Sequence, residues 1–482
     1  MTKPRSNLHM VFLPLLALLG TGFCFWYVFA ASRDVVYSDY IRIINEYLPD
    51  VEDLSVMLTP DILTRTPIYF LQRIINVRYF GYSVMFDRIC TLFGIALIAF
   101  SLTWFMIRER ISALKSIAVF VVVFSLSKWE VFMNGTCWTH VVSIGLFLWN
   151  YLLFDRVWKG ESDVPEELLL YFMPFLWLLL AGEYIASYAA SMCLIAAAGA
   201  LTGGAAGHGQ KRVRKVCLRI LLCTLFAGAL YVFSRSFAVW EHAGSTDMTI
   251  LELIRFAPTF LPKLFLKSLA GTVFGAETIT SFYKGEALSD IFVLLTGLMV
   301  LLAYFFAALV YFDSRMQERT VFPILLLVSG FLNHGLVTYA RWIFLNENYG
   351  LSSRYAVQFM VGILGILLIF ALFKTPPGRY RERARDARRR KIRAFMVFFA
   401  ALSCAGNLYT SYQEVKKAPY RKANYETMQE MILGRDEIPV EELCRALEWH
   451  KDPADLTKAL DILEASGLNV YRTGNAVPEK GR

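Results

Sequence analysis

Charged residues are scarce in this chain. They make up 18% of its 482 residues, against about a quarter in an ordinary soluble domain, which excludes a water-soluble globular fold for most of it. The eight cysteines form no Cys-X-X-Cys pair and no Cys/His spacing of the kind that holds zinc. Seven of them (Cys24, Cys90, Cys137, Cys193, Cys217, Cys223 and Cys404) lie in or beside apolar runs, and only Cys444 lies in a polar region. Neither a disulfide framework nor a zinc site is indicated. A Walker A loop, a glycine-rich dinucleotide turn after a strand, His-Glu-X-X-His and Gly-X-Ser-X-Gly are all missing, so nucleotide-driven or hydrolytic chemistry on a soluble domain is not supported. No repeat of one half in the other stands out, as paired transporter halves would give.

What the chain has instead is apolar surface. Apolar and aromatic residues reach 56%, with 38 Phe, 24 Tyr and 10 Trp, an excess suited to lipid-facing surfaces and interfacial belts. A membrane-spanning helix needs roughly 20 mostly apolar residues. Runs of that kind fall at 10–30, 89–107, 111–127, 131–154, 168–181, 184–204, 216–239, 291–312, 321–340, 355–373 and 394–413. The expectation is an all-α integral membrane protein of about eleven spans. The first run could be a cleaved leader ending near Ala31, but it is longer than a usual signal core, so an uncleaved anchor is expected.

Basic residues set the orientation. With the N-terminus inside, segments 1–9, 108–115, 155–167, 203–219, 313–320 and 374–393 total 75 residues with 24 Lys or Arg. The opposite segments, 31–88, 128–137, 182–183, 235–290 and 341–354, total 140 residues with 14. Merging 168–204 into one helix would flip everything after it and put the basic runs 211–219 and 374–393 outside, so two helices are expected there. The net charge of +9 is therefore a matter of topology, and no nucleic-acid partner is indicated. The expected place is a plasma or inner membrane, with the N-terminus cytoplasmic and the C-terminus extracytoplasmic. Residues 1–413 would form the membrane domain, with outer loops 31–88 and 235–290, and residues 414–482 a small α-rich outer tail. Within 235–290 the spacing predicts helices lying in the interface. In the tail, 441–450 reads as an amphipathic helix, Asp452 as an N-cap with Pro453 behind it, Gly467 as a stop and 468–471 as a short extended piece that docks on the outer loops.

Four groups of residues on that outer side could carry chemistry. Arg33, Asp34, Asp39 and Arg42 follow the first span; Asp39 lies nine residues past Ala30, near the membrane surface, where a carboxylate serves as a general base or as a plain loop charge. Lys128, Trp129 and Glu130 sit in a short turn that holds Glu130 close to the bundle, with Trp129 suited to an interfacial anchor. Arg354 and Tyr355 stand at the start of a late span, where the arginine could grip a phosphate bidentately or anchor a headgroup. Asp61, Arg65 and Arg73 lie in the first loop, as ion pairs or as substrate contacts. Inside the spans, His334, Thr338 and Arg341 share one helical face, as do Glu183 and Ser187.

Together these features give the chain a layout that resembles bacterial GT-C-type membrane glycosyltransferases, which use polyprenyl-phosphate sugars. The resemblance rests on the acids Asp34 and Asp39 in DVVYSDY, the span-ending Trp-Glu of KWEVFMNG, Ser353-Arg354-Tyr355, and a tail closing on Leu468-Asn469-Val470-Tyr471. It covers the whole chain as layout. It departs from the family where the two first-loop acids are separated by four residues rather than adjacent, and where only Asp61 and Arg65 stand for a following acidic or histidine cluster. The resemblance implies a GT-C-like fold that transfers a sugar from a polyprenyl-phosphate donor in the membrane lipid to a cell-envelope glycan, lipid or protein. Asp39, with Asp34, would act in catalysis. Arg42, Asp61, Arg65, Trp129, Glu130, Arg341, Arg354 and Tyr355 would bind substrate. It leaves open whether a divalent metal assists. A lipid-linked glycan flippase, a polysaccharide polymerase or ligase, and a non-enzymatic scaffold are the competing readings.

Overall fold

The computed structural model describes residues 7–48, 50–53, 67–205, 210–236, 244–276, 278–279, 287–373 and 383–472. Every regular element among them is a helix. Among the described residues, ten helices are long and apolar enough to cross a membrane. An eleventh expected span is the helix Val164–Leu180, whose 17 residues reach about 26 Å, somewhat short of a full crossing. This is the architecture of a multi-pass membrane protein.

In chain order the helices are α1 (Asn7–Ala31), α2 (Asp39–Tyr47), α3 (Pro67–Phe80), α4 (Val84–Arg108), α5 (Ala113–Val123), α6 (Trp129–Met133), α7 (Trp138–Lys159), α8 (Val164–Leu180), α9 (Ile185–Thr202) and α10 (Gln210–Arg235). Then come α11 (Ile250–Phe256), α12 (Phe260–Ala270), α13 (Ala287–Asp313), α14 (Phe322–Arg341), α15 (Ala356–Leu372), α16 (Arg383–Leu433), α17 (Val440–Ala446) and α18 (Pro453–Ala465). Helix α15 is buried almost all round and forms the centre of the bundle. Helices α1, α10 and α13 lie at its edge. There Leu18, Trp26, Phe226, Phe233, Leu295 and Phe305 are exposed, an uncovered apolar surface that suits lipid and not water.

Small residues let the central helices close up. A Cβ on Gly94 of α4 would lie 2.6 Å from the Val142 backbone nitrogen of α7, and one on Gly145 would lie 2.7 Å from Leu97 Cβ. Gly365 of α15 faces Leu327 of α14 in the same way. Close backbone approach through small residues is how helices associate where lipid removes the hydrophobic drive.

The short basic loops gather at one end of the bundle. Lys159 bridges Asp155 (2.7 Å) and Glu109 (2.8 Å), Arg108 pairs with Glu161 (2.6 Å), and Arg212 with Glu167 (2.7 Å). Helix α7 stops at Gly160, in the left-handed region with φ 71°, and α8 opens with a full capping box between Asp163 and Glu166. Helices α8 and α9 are separate, joined by a tight turn at Gly182 (φ 55°).

The other end holds α2, α3 and the tail. The expected run 111–127 is interrupted: α5 stops at Val123, and a broken piece containing α6 carries Trp129 and Glu130 back toward α7. Lys128, 1% exposed, makes the break tolerable. Its ammonium donates to the carbonyls of Val122 (3.2 Å) and Ser125 (2.7 Å), which the end of α5 leaves without helical partners. Helix α16 does not end near 413 but runs on as one 51-residue helix to Leu433. Asp452 caps α18, accepting from the Ala454 N–H (2.9 Å), with Pro453 behind it. Residues 469–471 form a 3-10 turn, not the extended piece expected, because Asn469 takes φ 53° and turns its side chain back into the fold. In the 235–290 segment, α11 keeps only Leu253 buried while Leu251 and Phe256 are exposed, consistent with a helix at the interface.

Candidate functional site

The first loop is fastened before it can hold a site. Asp87, at the start of α4, is buried and accepts hydrogen bonds from Tyr40 Oη of α2 (2.8 Å) and from Gln72 Nε2 (2.5 Å) and Asn76 Nδ2 (2.9 Å) of α3. Burial and the neighbouring Asp87 carboxylate push the Tyr40 hydroxyl well above its usual range, so it stays a donor. Arg88 donates to the Met133 (2.8 Å) and Arg33 (2.5 Å) carbonyls. Nothing in the sequence marked Asp87 or Arg88 as central, because both flank an apolar run and resemble ordinary span ends.

On this base a cavity of about 110 Å³ opens at the end of the bundle opposite the basic loops. Helix α2 contributes Asp39, Arg42 and Ile43, and α3 contributes Tyr69 and Arg73. The joint between α6 and α7 supplies Asn134, Thr136 and Cys137, and the first turn of α7 supplies His140. Tyr184 comes from the α8–α9 turn, Arg341 from the end of α14, and Arg354 and Tyr355 from the turn before α15.

The polar groups in it are oriented. Asn134 Oδ1 accepts from Thr136 N (3.2 Å) and Oγ1 (2.7 Å). That turns its amide so that Nδ2 donates to Asp39 Oδ2 (3.2 Å). Glu130, beside the cavity, accepts from Arg354 Nε (2.8 Å) with one oxygen and from Ser353 Oγ (2.5 Å) with the other. Arg341 lies 5.5 Å from the centre of the Tyr355 ring, and the His140 ring is 4.0 Å from that of Tyr184. Arg42 is held by Glu46, one helical turn on (3.0 Å). The result is one carboxylate set among several guanidinium groups in a small, partly enclosed space.

Of the residues singled out from sequence, Asp39, Arg42, Arg73, Arg341, Arg354 and Tyr355 line this cavity, with Glu130 in contact through Arg354. Asp34 does not. Its Oδ1 accepts from the backbone N–H groups of Val84 (2.6 Å) and Met85 (3.2 Å), which commits it to the start of α4. Trp129 also stands apart, its ring covered by the Arg421 guanidinium at 3.2 Å. Arg33 turns to Glu426 of α16 (2.6 Å). Asp61 and Arg65 lie outside the described residues, as does the side chain of Glu183. His334 is buried deeper, against Ser268 Oγ (2.8 Å) and stacked on Phe359. Sequence reasoning missed Asn134, His140 and Tyr184 as cavity residues. Among the described residues no group of three His, Cys, Asp or Glu could hold a metal ion.

The tail completes the rim. Ser38 N donates to the Leu447 carbonyl (2.8 Å), and Asn45 Nδ2 to that of Asp455 (2.7 Å). Asn469 Nδ2 donates to the Tyr82 carbonyl (2.9 Å), while its Oδ1 accepts from Val36 N (3.3 Å). Burial raises the Glu448 carboxyl above its usual value; Arg354 lowers it and Glu130 raises it, so this tail residue shares the field of the site.

Comparison with protein-family models, with curated proteins and with solved structures finds no match for this chain.

Proposed function

We propose that the chain is a membrane glycosyltransferase that moves a sugar from a polyprenyl-phosphate donor to a cell-envelope glycan, lipid or protein on the extracytoplasmic face. The observation that carries this reading is the meeting of Asp39 with Arg341 and Arg354 on one cavity at the end of the spanning helices opposite the basic loops. An acid and fixed cations there match what the reaction requires. The acceptor hydroxyl attacks the anomeric carbon, the Asp39 carboxylate takes its proton, and the bond from that carbon to the phosphate oxygen breaks with inversion. The leaving polyprenyl phosphate keeps the electron pair, and Arg354 and Arg341 offset its charge. Stabilising developing charge with preoriented donors is the largest catalytic term in such sites. Glu130 and Ser353 hold Arg354 in place, and Asn134 orients Asp39.

The test compares the parent with Asp39→Asn and Arg354→Ala at matched expression, reading glycan modification in cells and polyprenyl phosphate bound to the purified protein. Removing a general base lowers the rate about 10²–10⁴-fold. Asp39→Asn should therefore abolish measurable transfer while retaining lipid, and Arg354→Ala should lose the lipid. Transfer at the parental rate in Asp39→Asn sinks the reading.

A further inference from the structure

Arg73 of α3 is 4% exposed and forms part of the cavity wall. Its guanidinium lies between two aromatic rings, 3.9 Å from the centre of Tyr69 and 4.3 Å from that of Tyr47. The rings cover its faces and offset part of its charge, which leaves the edge. On that edge Nε and Nη2 have no hydrogen-bond partner. These adjacent donors are the fork with which arginine grips a carboxylate or a phosphate through two parallel bonds.

The cavity's other arginines are differently placed. Arg354 has Glu130, Arg42 has Glu46, and Arg341 faces the Tyr355 ring. The buried carboxylate in this region, Asp87, is taken up by Tyr40, Gln72 and Asn76. A buried cation with unmade bonds carries a desolvation cost that a bound anion removes.

We infer that Arg73 anchors a second anion subsite in this cavity, one that takes a phosphate or carboxylate of the substrate other than the phosphate at Arg354. Assigning that group to a glycosyl donor or acceptor rests on the proposed function; the anion subsite does not. The shared chemistry is an oxyanion with two oxygens to offer the fork. It comes either from the second phosphate of a diphosphate-linked lipid or from an acidic group on the acceptor.

The test uses the full chain in lipid nanodiscs. Inorganic phosphate and pyrophosphate should raise the melting temperature of the parent. Arg73→Gln should weaken that response at least about tenfold, since bonds to a charged group are among the stronger ones. Arg73→Lys keeps the charge without the fork and should fall between, which keeps the test readable should Arg73→Gln fold poorly. Binding of polyprenyl phosphate and polyprenyl diphosphate then separates the sources. A diphosphate preference lost in Arg73→Lys puts the second anion on the lipid. Equal lipid binding with weaker saturation by acceptor puts it on the acceptor. The inference is overturned if neither inorganic ion binds the parent, or if parent and Arg73 variants bind them alike. If pyrophosphate binding depends on Arg73 but no polyprenyl phosphate binds, the transferase reading falls and the subsite stands.

Discussion

Replacing Asp87 by alanine should detach the first loop from the bundle without unfolding the spans. The Asp87 carboxylate is the common acceptor for Tyr40, Gln72 and Asn76, at 2.8, 2.5 and 2.9 Å. All three donors are buried. Each buried donor left unpaired costs about 1–3 kcal/mol, so three of them lose about 3–6 kcal/mol once the site relaxes. That is a large part of the roughly 5–15 kcal/mol that holds a typical fold, and it acts where α2 and α3 meet α4. Asp87→Asn keeps an acceptor for Gln72 and Asn76 and disturbs only the Tyr40 bond, at about 1–2 kcal/mol. The assay is hydrogen–deuterium exchange of 39–47 and 67–80 in nanodiscs, alongside the melting temperature. The alanine variant should exchange quickly in both helices while the spans stay protected, and the asparagine variant should lie close to the parent. Parental protection of both helices in Asp87→Ala would refute the idea that this carboxylate fastens the loop.

Other perturbations reach the same end of the molecule. Asn469→Ala removes the bonds to Tyr82 and Val36 and should free the tail at about 1–3 kcal/mol, read as new proteolytic cleavage between α16 and α18 with the spans intact. Gly94→Val places methyl groups against the Val142 backbone of α7, 2.6 Å from where its Cβ must sit; overpacking of this kind costs about 1–3 kcal/mol or more, and a melting temperature equal to the parent's would count against the close crossing. Glu448 has a raised folded value relative to its usual 4.5, so the folded state favours its protonated form. Its contribution is full below pH 4.5 and fades as pH climbs through the raised value. The melting temperature of Glu448→Gln should therefore gain on the parent's across that window, and a gap constant with pH would contradict the shift.

Much of the bundle was legible in the chain because span length and charge placement are local properties. The apolar runs, the split at Gly182 and the cap at Asp452 all depend on neighbours within a few residues. Asp39, Glu130 and Arg354 could be picked out because each is a charge where a membrane protein has few. Other features were illegible for a physical reason. Whether an acid such as Asp34 is spent on backbone amides or faces a cavity depends on Val84, 50 residues away. Whether Arg73 finds a partner depends on where Tyr47 and Tyr69 place their rings. The continuation of α16 past 413 has a similar origin: the polar residues beyond the apolar run sit well on a helix once Glu414 is buried with Arg421 and Tyr27.

That continuous helix has a mechanical consequence. At 51 residues α16 is about 77 Å long, and it runs from the membrane domain into the segment that packs against the tail. A tilt of about 5° at its base swings the far end by about 7 Å for a rod of that length. Pro419 lies inside this helix and has no N–H to give the carbonyl four residues before it, so the stiffness at that one turn decides how much of such a tilt reaches the tail.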